Sequence, residues 1–130
     1  MTPELAALSA LGFLHFATIF VAQHFLTRDI GRDGNMGTRE HLEAQLSPLT
    51  LRLRRATANF VENIGPFTLA LLVVILADKT SMLTAALAWG FVAARALYVP
   101  AYALEWVPGR SLIWLVGAVC TLALLLVGIV

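Results

Sequence analysis

Four long apolar segments constrain the fold of this chain more than any other feature. A helix needs about 20 apolar residues to cross the hydrocarbon core of a bilayer. The sequence predicts helices of this kind at residues 4–26, 48–77, 81–104 and 110–130. Charged residues make up 13% of the chain, against about 25% in soluble domains. We therefore expect one all-α membrane domain over residues 1–130, built as a four-transmembrane-helix bundle.

The connections between these helices differ in kind. Asp78-Lys79-Thr80 predicts a tight turn, and Pro108-Gly109 ends another short one. The connection at residues 27–55 is long and polar, and its charges predict a solvated loop with helical tendency near residues 38–45. Ser47-Pro48 predicts the start of the second helix, because serine favours the N-cap and proline the first helical position.

The basic residues predict the orientation in the membrane. Positive charges are enriched in cytoplasmic loops, and here the first and last loops carry them, whereas the opposite side has only Lys79. We therefore expect both loops in the cytoplasm and both termini outside. The net charge of +1 indicates no nucleic-acid partner. The basic residues in question are Arg28, Arg32, Arg39, Arg52, Arg54, Arg55 and Arg110.

Polar residues on the second helix form one stripe. Arg52, Arg55, Asn59 and Glu62 are spaced three, four and three residues apart, so that they share a face at 3.6 residues per turn. A charge at the centre of a transmembrane helix costs about 2.5–3.5 kcal/mol, so such residues usually face a helix bundle or a wet cavity. The stripe therefore indicates a functional site or a polar network that holds helices together.

A second stripe lies on the third helix. Arg95, Tyr98 and Tyr102 share a face, and the depth of Arg95 predicts an ion pair with Glu62. Arg110 and Ser111 open the fourth helix, where free backbone N–H groups favour an anion. The expected pocket is cationic with one carboxylate, and suits a small ligand with several carboxylates, one ammonium and a thiol.

These residues resemble the motifs of a known family. The run Arg55-Ala56-Thr57-Ala58-Asn59-Phe60-Val61-Glu62, followed by Pro66-Phe67, is similar to the R-A-x-x-N-x-x-E…P-F signature of the MAPEG family, the membrane-associated proteins in eicosanoid and glutathione metabolism. Arg95-x-x-Tyr98-x-x-x-Tyr102 and then Arg110-Ser111 resemble its later elements. The chain looks most like a bacterial-type member, which implies a bacterial inner membrane as its location.

The resemblance implies a homotrimer with glutathione as cosubstrate, bound between neighbouring subunits and open to the cytoplasm. It implies that Arg110, with Ser111, stabilises the glutathione thiolate for transferase or peroxidase chemistry on a hydrophobic small molecule or lipid. Ala58 and Trp114 depart from the better-known eicosanoid enzymes, which leaves the substrate open. The glutathione-binding residues that the resemblance implies are Arg52, Arg55, Asn59, Glu62, Arg95, Tyr98 and Tyr102.

Two other functions fit the same residues. A small transporter would use Glu62 as its coupling carboxylate, but the outer halves of the second and fourth helices are almost wholly apolar. A catalytically silent scaffold would use the polar stripe for assembly alone, with Arg110 as a membrane anchor and Ser111 as a helix cap. No metal site is expected, since His15 and His24 are nine residues apart and do not share a face.

Overall fold

The chain consists of four long helices. A computed structural model describes all residues from 1 to 130. Helix α1 spans Pro3–Met36, α2 Pro48–Leu76, α3 Met82–Ala103 and α4 Gly109–Ile129, with a short 3₁₀ helix at Leu42–Gln45. All four long helices have the length and hydropathy needed to cross a membrane. The chain is therefore an all-α, multi-pass integral membrane protein, as its composition predicted.

Side-chain caps begin three of the helices, and at α1 the Thr2 hydroxyl accepts a hydrogen bond of 3.3 Å from the Leu5 backbone N–H. The Ser47 hydroxyl accepts a hydrogen bond of 3.3 Å from the Thr50 backbone N–H, and Pro48 occupies the first helical position, as predicted. At the start of α3, the Ser81 hydroxyl accepts from the Thr84 N–H at 3.2 Å, while the Ser81 N–H donates to the Thr84 hydroxyl at 2.7 Å. These reciprocal bonds satisfy backbone groups that a helix end leaves unpaired.

Backbone hydrogen bonds at the ends of α2 and α3 form the two tight turns. After α2, the Lys79 N–H donates to the Val74 carbonyl at 3.0 Å, and the Asp78 N–H donates to the Ile75 carbonyl at 3.1 Å. This Schellman arrangement requires a left-handed residue, here Asp78 with φ of 56°. The turn after α3 is built in the same way, with Glu105 in the left-handed position at φ of 59°.

Helix α1 is longer than predicted. We expected it to end near Leu26, but it continues to Met36 with a kink at Gly31, where φ is 72°. The prediction of a solvated loop was therefore wrong for this segment, because polar residues continue the helix beyond its apolar part. Its last turns are fixed to α2, since the Asp29 carboxylate accepts a 2.8 Å hydrogen bond from the Ser47 N–H.

The core lies between the four helices, and the outer surface is apolar. Phe67 of α2 and Phe91 of α3 stack with parallel rings 4.0 Å apart, both buried. On α1, Phe13, Phe16 and Phe20 recur on one face and are exposed, as expected for side chains in contact with lipid. The core fixes how α2 and α3 face each other and therefore where their polar stripes meet.

A buried hydrogen bond joins α1 and α3 at the end of the bundle opposite the arginines. Glu4 is 1% exposed, and its Oε1 atom accepts a 2.7 Å hydrogen bond from the Thr84 hydroxyl. Its Oε2 atom is buried without a partner. The pair ties the first turn of one helix to the first turn of the other.

Candidate functional site

The up-and-down topology brings the start of α2, the end of α3 and the start of α4 to one end of the bundle. A cleft of about 400 Å³ lies there, within the size range of small-molecule sites, about 300–1,000 Å³. Four of the predicted site residues line it, together with one acidic residue from the short turn between α3 and α4. The polar lining residues are Arg52, Arg55, Tyr102, Glu105 and Arg110.

Two arginines in this cleft have no acceptor within the chain. Arg55 is exposed and Arg110 is half-buried, and neither makes a side-chain hydrogen bond or an ion pair with another residue. The Arg110 guanidinium carbon lies 4.5 Å from the centre of the Tyr102 ring, close enough for a cation–π contact. Because a guanidinium binds carboxylates in a fork, the two side chains together offer a site for an anion.

Arg52 is engaged within the chain. Its Nε atom donates to the Ala103 carbonyl at 3.0 Å, and its Nη1 atom forms an ion pair with Glu105. The Glu105 side chain is 67% exposed. Sequence reasoning missed this residue as a site residue. The signal was present, because Glu105 is the only acidic residue between α3 and α4.

Arg95 is completely buried and pairs with Asn59. Its Nη1 atom donates a 3.1 Å hydrogen bond to the Asn59 side-chain oxygen, whereas its Nε and Nη2 atoms have no acceptor. The predicted ion pair between Arg95 and Glu62 was wrong. Glu62 is exposed on the surface of the chain and has no ion-pair partner there, because Asn59, one turn earlier on α2, takes the place opposite the arginine.

A glycine on α4 makes room for this arginine. A Cβ atom built at Gly117 would lie 3.1 Å from Nη2 and 3.6 Å from Nε of Arg95. Two aromatic rings cover the guanidinium, with centres 4.9 Å away for Tyr98 and 5.4 Å for Phe91. The unpaired nitrogens of Arg95 thus face the backbone of α4 and not the cleft.

The orientation of the Asn59 side chain is fixed by hydrogen bonds that its Oδ1 atom accepts. Besides Arg95, the Asn63 amide nitrogen lies 3.4 Å from the Asn59 Oδ1 atom and donates to the Asn59 backbone carbonyl at 2.7 Å. The Asn59 Nδ2 atom makes no hydrogen bond within the chain, so it remains free to donate. Sequence reasoning missed Asn63, although its spacing of four residues from Asn59 places both on one helix face.

Two tyrosines link the interior to the cleft. The rings of Tyr98, which is buried, and Tyr102, which is half-buried, have centres 5.7 Å apart. Arg95 lies against the first ring and Arg110 against the second. The predicted stripe on α3 therefore continues to Arg110 of α4, and the two rings lie between the two arginines in a row that leads from the bundle interior to the cleft.

The start of α4 differs from expectation. We predicted free backbone N–H groups at Arg110 and Ser111, but these groups donate to the Trp106 and Pro108 carbonyls, each at 2.9 Å. The N-cap position belongs to Pro108, so the interpretation of Ser111 as a helix cap was also wrong. Its exposed hydroxyl makes no hydrogen bond within the chain.

Comparison with known proteins agrees with these motifs. The model of the MAPEG family matches residues 5–130, all but the first four of the chain. No curated protein and no solved structure gives a match. The match includes all four spans and every residue of the cleft. The chain therefore belongs to the MAPEG family of membrane proteins, which act in eicosanoid and glutathione metabolism and include glutathione transferases.

Proposed function

We propose that this protein binds glutathione at the cleft and joins the glutathione sulfur to a small hydrophobic electrophile. One observation carries the proposal: Arg55 and Arg110 face the same cleft without any acceptor of their own. Glutathione carries two carboxylates and a thiol that ionises to a thiolate, and each of these anionic groups can accept hydrogen bonds from a guanidinium. Family membership supports glutathione as the anion.

The remaining polar groups complete a glutathione site. The free Asn59 amide donates to a carboxylate or a peptide carbonyl of the ligand. The Glu62 carboxylate, which has no partner within the chain, binds the ammonium group. Arg55 binds a carboxylate, and the Tyr102 ring forms part of the wall of the site, with the buried Tyr98 ring packed against it.

Arg95 has a different role from the other arginines. With no exposed surface and with its free nitrogens facing α4, it positions the Asn59 amide and does not contact glutathione. By holding the amide oxygen, it leaves the amide N–H groups of Asn59 directed away from itself.

Arg110 and Ser111 act on the sulfur. The thiolate is the nucleophilic form of a thiol, and a guanidinium beside the sulfur favours loss of the thiol proton. The sulfur then forms a bond to the electrophilic carbon, and the leaving group departs with the bonding electron pair. With a lipid hydroperoxide, the same thiolate attacks the terminal peroxide oxygen, the O–O bond breaks and the lipid alcohol is released. A second glutathione then reduces the resulting sulfenic acid, which gives glutathione disulfide and water.

The site is completed by a second copy of the chain. In a single chain, Glu62 lies exposed within a transmembrane helix, which is costly in lipid. A neighbouring subunit that covers this face of α2 removes the carboxylate from lipid and closes the cleft, which supports a homotrimer with sites between subunits. Native mass spectrometry in detergent tests this: three copies are expected, and a monomer would contradict it.

We place the cleft in the cytoplasm and both termini outside, in a bacterial inner membrane. The basic residues cluster at one end of the bundle, in agreement with the positive-inside rule. Cysteines introduced as Asp78→Cys and Thr38→Cys test this orientation, since both positions are exposed. An impermeant thiol reagent should label intact spheroplasts at residue 78 only. Labelling at residue 38 only would reverse the orientation.

A conjugation assay tests the enzymatic proposal. Purified protein in detergent is mixed with glutathione and 1-chloro-2,4-dinitrobenzene. We expect conjugation above the uncatalysed rate. Removing one charge-stabilising group commonly costs about 10²–10³ in rate, so Arg110→Gln should lose most of the activity. Arg39→Gln, an exposed arginine outside the cleft, is the control and should match the parent. Background rates in the parent would refute catalysis on this electrophile.

Two alternatives make different predictions. A transporter with Glu62 as coupling carboxylate predicts proton-coupled uptake into proteoliposomes that disappears in Glu62→Gln. Against it, the second half of α2 beyond Pro66 and nearly all of α4 are apolar, which leaves no polar path across the membrane. A silent scaffold predicts trimers that persist without ligand and show no conjugation.

A further inference from the structure

We propose that Glu105 determines how strongly the cleft binds anions, because it pairs with Arg52 and must be displaced by a ligand carboxylate. Nothing in the family motif assigns this residue a role. The inference rests on the proposed function, because it treats the cleft as a glutathione site. It adds a residue of this chain that sets the affinity and the charge preference of that site.

The arginines of the cleft are not equivalent. Arg55 and Arg110 have no acceptor, whereas Arg52 is bound by both the Ala103 carbonyl and the Glu105 carboxylate. The lining thus holds three guanidinium groups and one carboxylate. A ligand finds two arginines free and a third already paired.

Glu105 is suited to leaving its partner. Its backbone is held in the turn, where its N–H donates to the Tyr102 carbonyl at 3.2 Å, but its side chain is 67% exposed. The carboxylate can therefore rotate into water without movement of α3 or α4. Arg52, with 23% exposure and its Nε atom bound to the Ala103 carbonyl, keeps its place when the carboxylate departs.

The competition discriminates between ligands by charge. A ligand carboxylate that reaches Arg52 replaces the Glu105 carboxylate and gains only the difference between the two ion pairs. A ligand without a carboxylate there leaves the ion pair intact. Glu105 therefore weakens the binding of ligands that place a carboxylate at Arg52 and has little effect on others.

Calorimetric titration of glutathione into the detergent-purified protein tests the proposal. Glu105→Gln keeps the side-chain size and removes the charge. Glu105→Gly removes the side chain at a left-handed position that glycine favours, so at least one variant should fold. Exposed ion pairs are weak, and we expect both variants to bind glutathione about two- to five-fold more tightly. Glu43→Gln, outside the cleft, is the control and should bind like the parent.

Two further measurements separate competition from a general loss of negative charge. In the Arg52→Gln background, Glu105→Gln should give no gain. Two monoamides of glutathione, each with a different carboxylate converted to an amide, are then titrated into the parent and Glu105→Gln. For one of the two monoamides, Glu105→Gln should bind no more tightly than the parent, which identifies the carboxylate that lies at Arg52. Equal or weaker binding by both Glu105 variants would overturn the role of Glu105 while leaving the proposed function intact. No binding by the parent would overturn the proposed function itself, and this inference with it.

Discussion

Replacing Arg95 by methionine should remove the hydrogen bond that fixes the orientation of the Asn59 amide, without destabilising the fold. Arg95 is fully buried, and only its Nη1 atom has a partner. Methionine is unbranched and adapts to irregular space. We therefore expect glutathione binding to weaken while the melting temperature stays level or rises, which is the reverse of the usual effect of a core substitution.

The magnitude follows from the environment of the guanidinium. A hydrogen bond that involves a charged group contributes about 1.5–3 kcal/mol, and each cation–π contact adds about 0.5–2 kcal/mol. Against this, each buried nitrogen without an acceptor costs about 1–3 kcal/mol, and Arg95 has two, Nε and Nη2. The terms nearly cancel, and replacement of buried charges by apolar residues of similar volume is often neutral or stabilising. We expect a change in the free energy of unfolding within about 1 kcal/mol, or a gain.

Thermal unfolding in detergent and calorimetric titration of glutathione measure both effects on one sample. Arg39→Met, at an exposed position, is the control and should leave binding unchanged. Destabilisation of Arg95→Met by more than about 3 kcal/mol would show that the buried charge stabilises the bundle. Binding equal to that of the parent would show that Asn59 does not depend on Arg95. Either result would refute the reasoning.

Other predictions concern the packing around the site. Thr84→Val leaves both carboxylate oxygens of Glu4 without a partner and should lower the free energy of unfolding by about 1–3 kcal/mol. The double variant Thr84→Val with Glu4→Met should recover part of this loss. An equal loss in the single and double variants would contradict the prediction. Gly117→Ala places a methyl group against the Arg95 guanidinium, 3.1 Å away, whereas Gly12→Ala meets nothing within 4 Å. Because overpacking costs about 1–3 kcal/mol, the first variant should melt below the second, and equal melting temperatures would argue against the close packing.

Periodicity predicted much of the structure. Spacings of three and four residues placed Arg52 and Arg55 on one face of α2, and hydropathy predicted four spans, which alternate in direction. These two facts are enough to bring the stripes of α2 and α3 to the same end of the bundle. Both predictions are valid because a segment in lipid must satisfy its backbone hydrogen bonds internally, and a helix does this.

The length of α1 was not predictable in the same way. Hydropathy detects where the bilayer ends and not where the helix ends, so the polar residues after Leu26 indicated a loop. Gly31, with φ of 72°, interrupts the helical backbone, and the helix resumes after this kink and continues to Met36. Tertiary contacts support it there, since the Asp29 carboxylate caps the start of α2.

The partners of the charged side chains could also not be predicted from the sequence. Glu62 and Arg95 have opposite charges and similar predicted depth, which indicated an ion pair. A difference of about one turn in the position of α2 along its axis decides which of its side chains contacts Arg95. The structure places Asn59 there and leaves Glu62 exposed. Similarly, the ion pair between Arg52 and Glu105 depends on the geometry of the turn after α3. The spacing of residues along a helix does not predict that geometry.

Titration of glutathione into the purified protein and into Glu62→Gln tests the central claim most directly. A hydrogen bond to a charged group contributes about 1.5–3 kcal/mol, so loss of the carboxylate that binds the ammonium group should weaken binding about ten-fold or more. We predict saturable binding of one glutathione per chain in the parent and this loss in the variant. No binding by the parent, or equal affinity of the two proteins, would contradict the account.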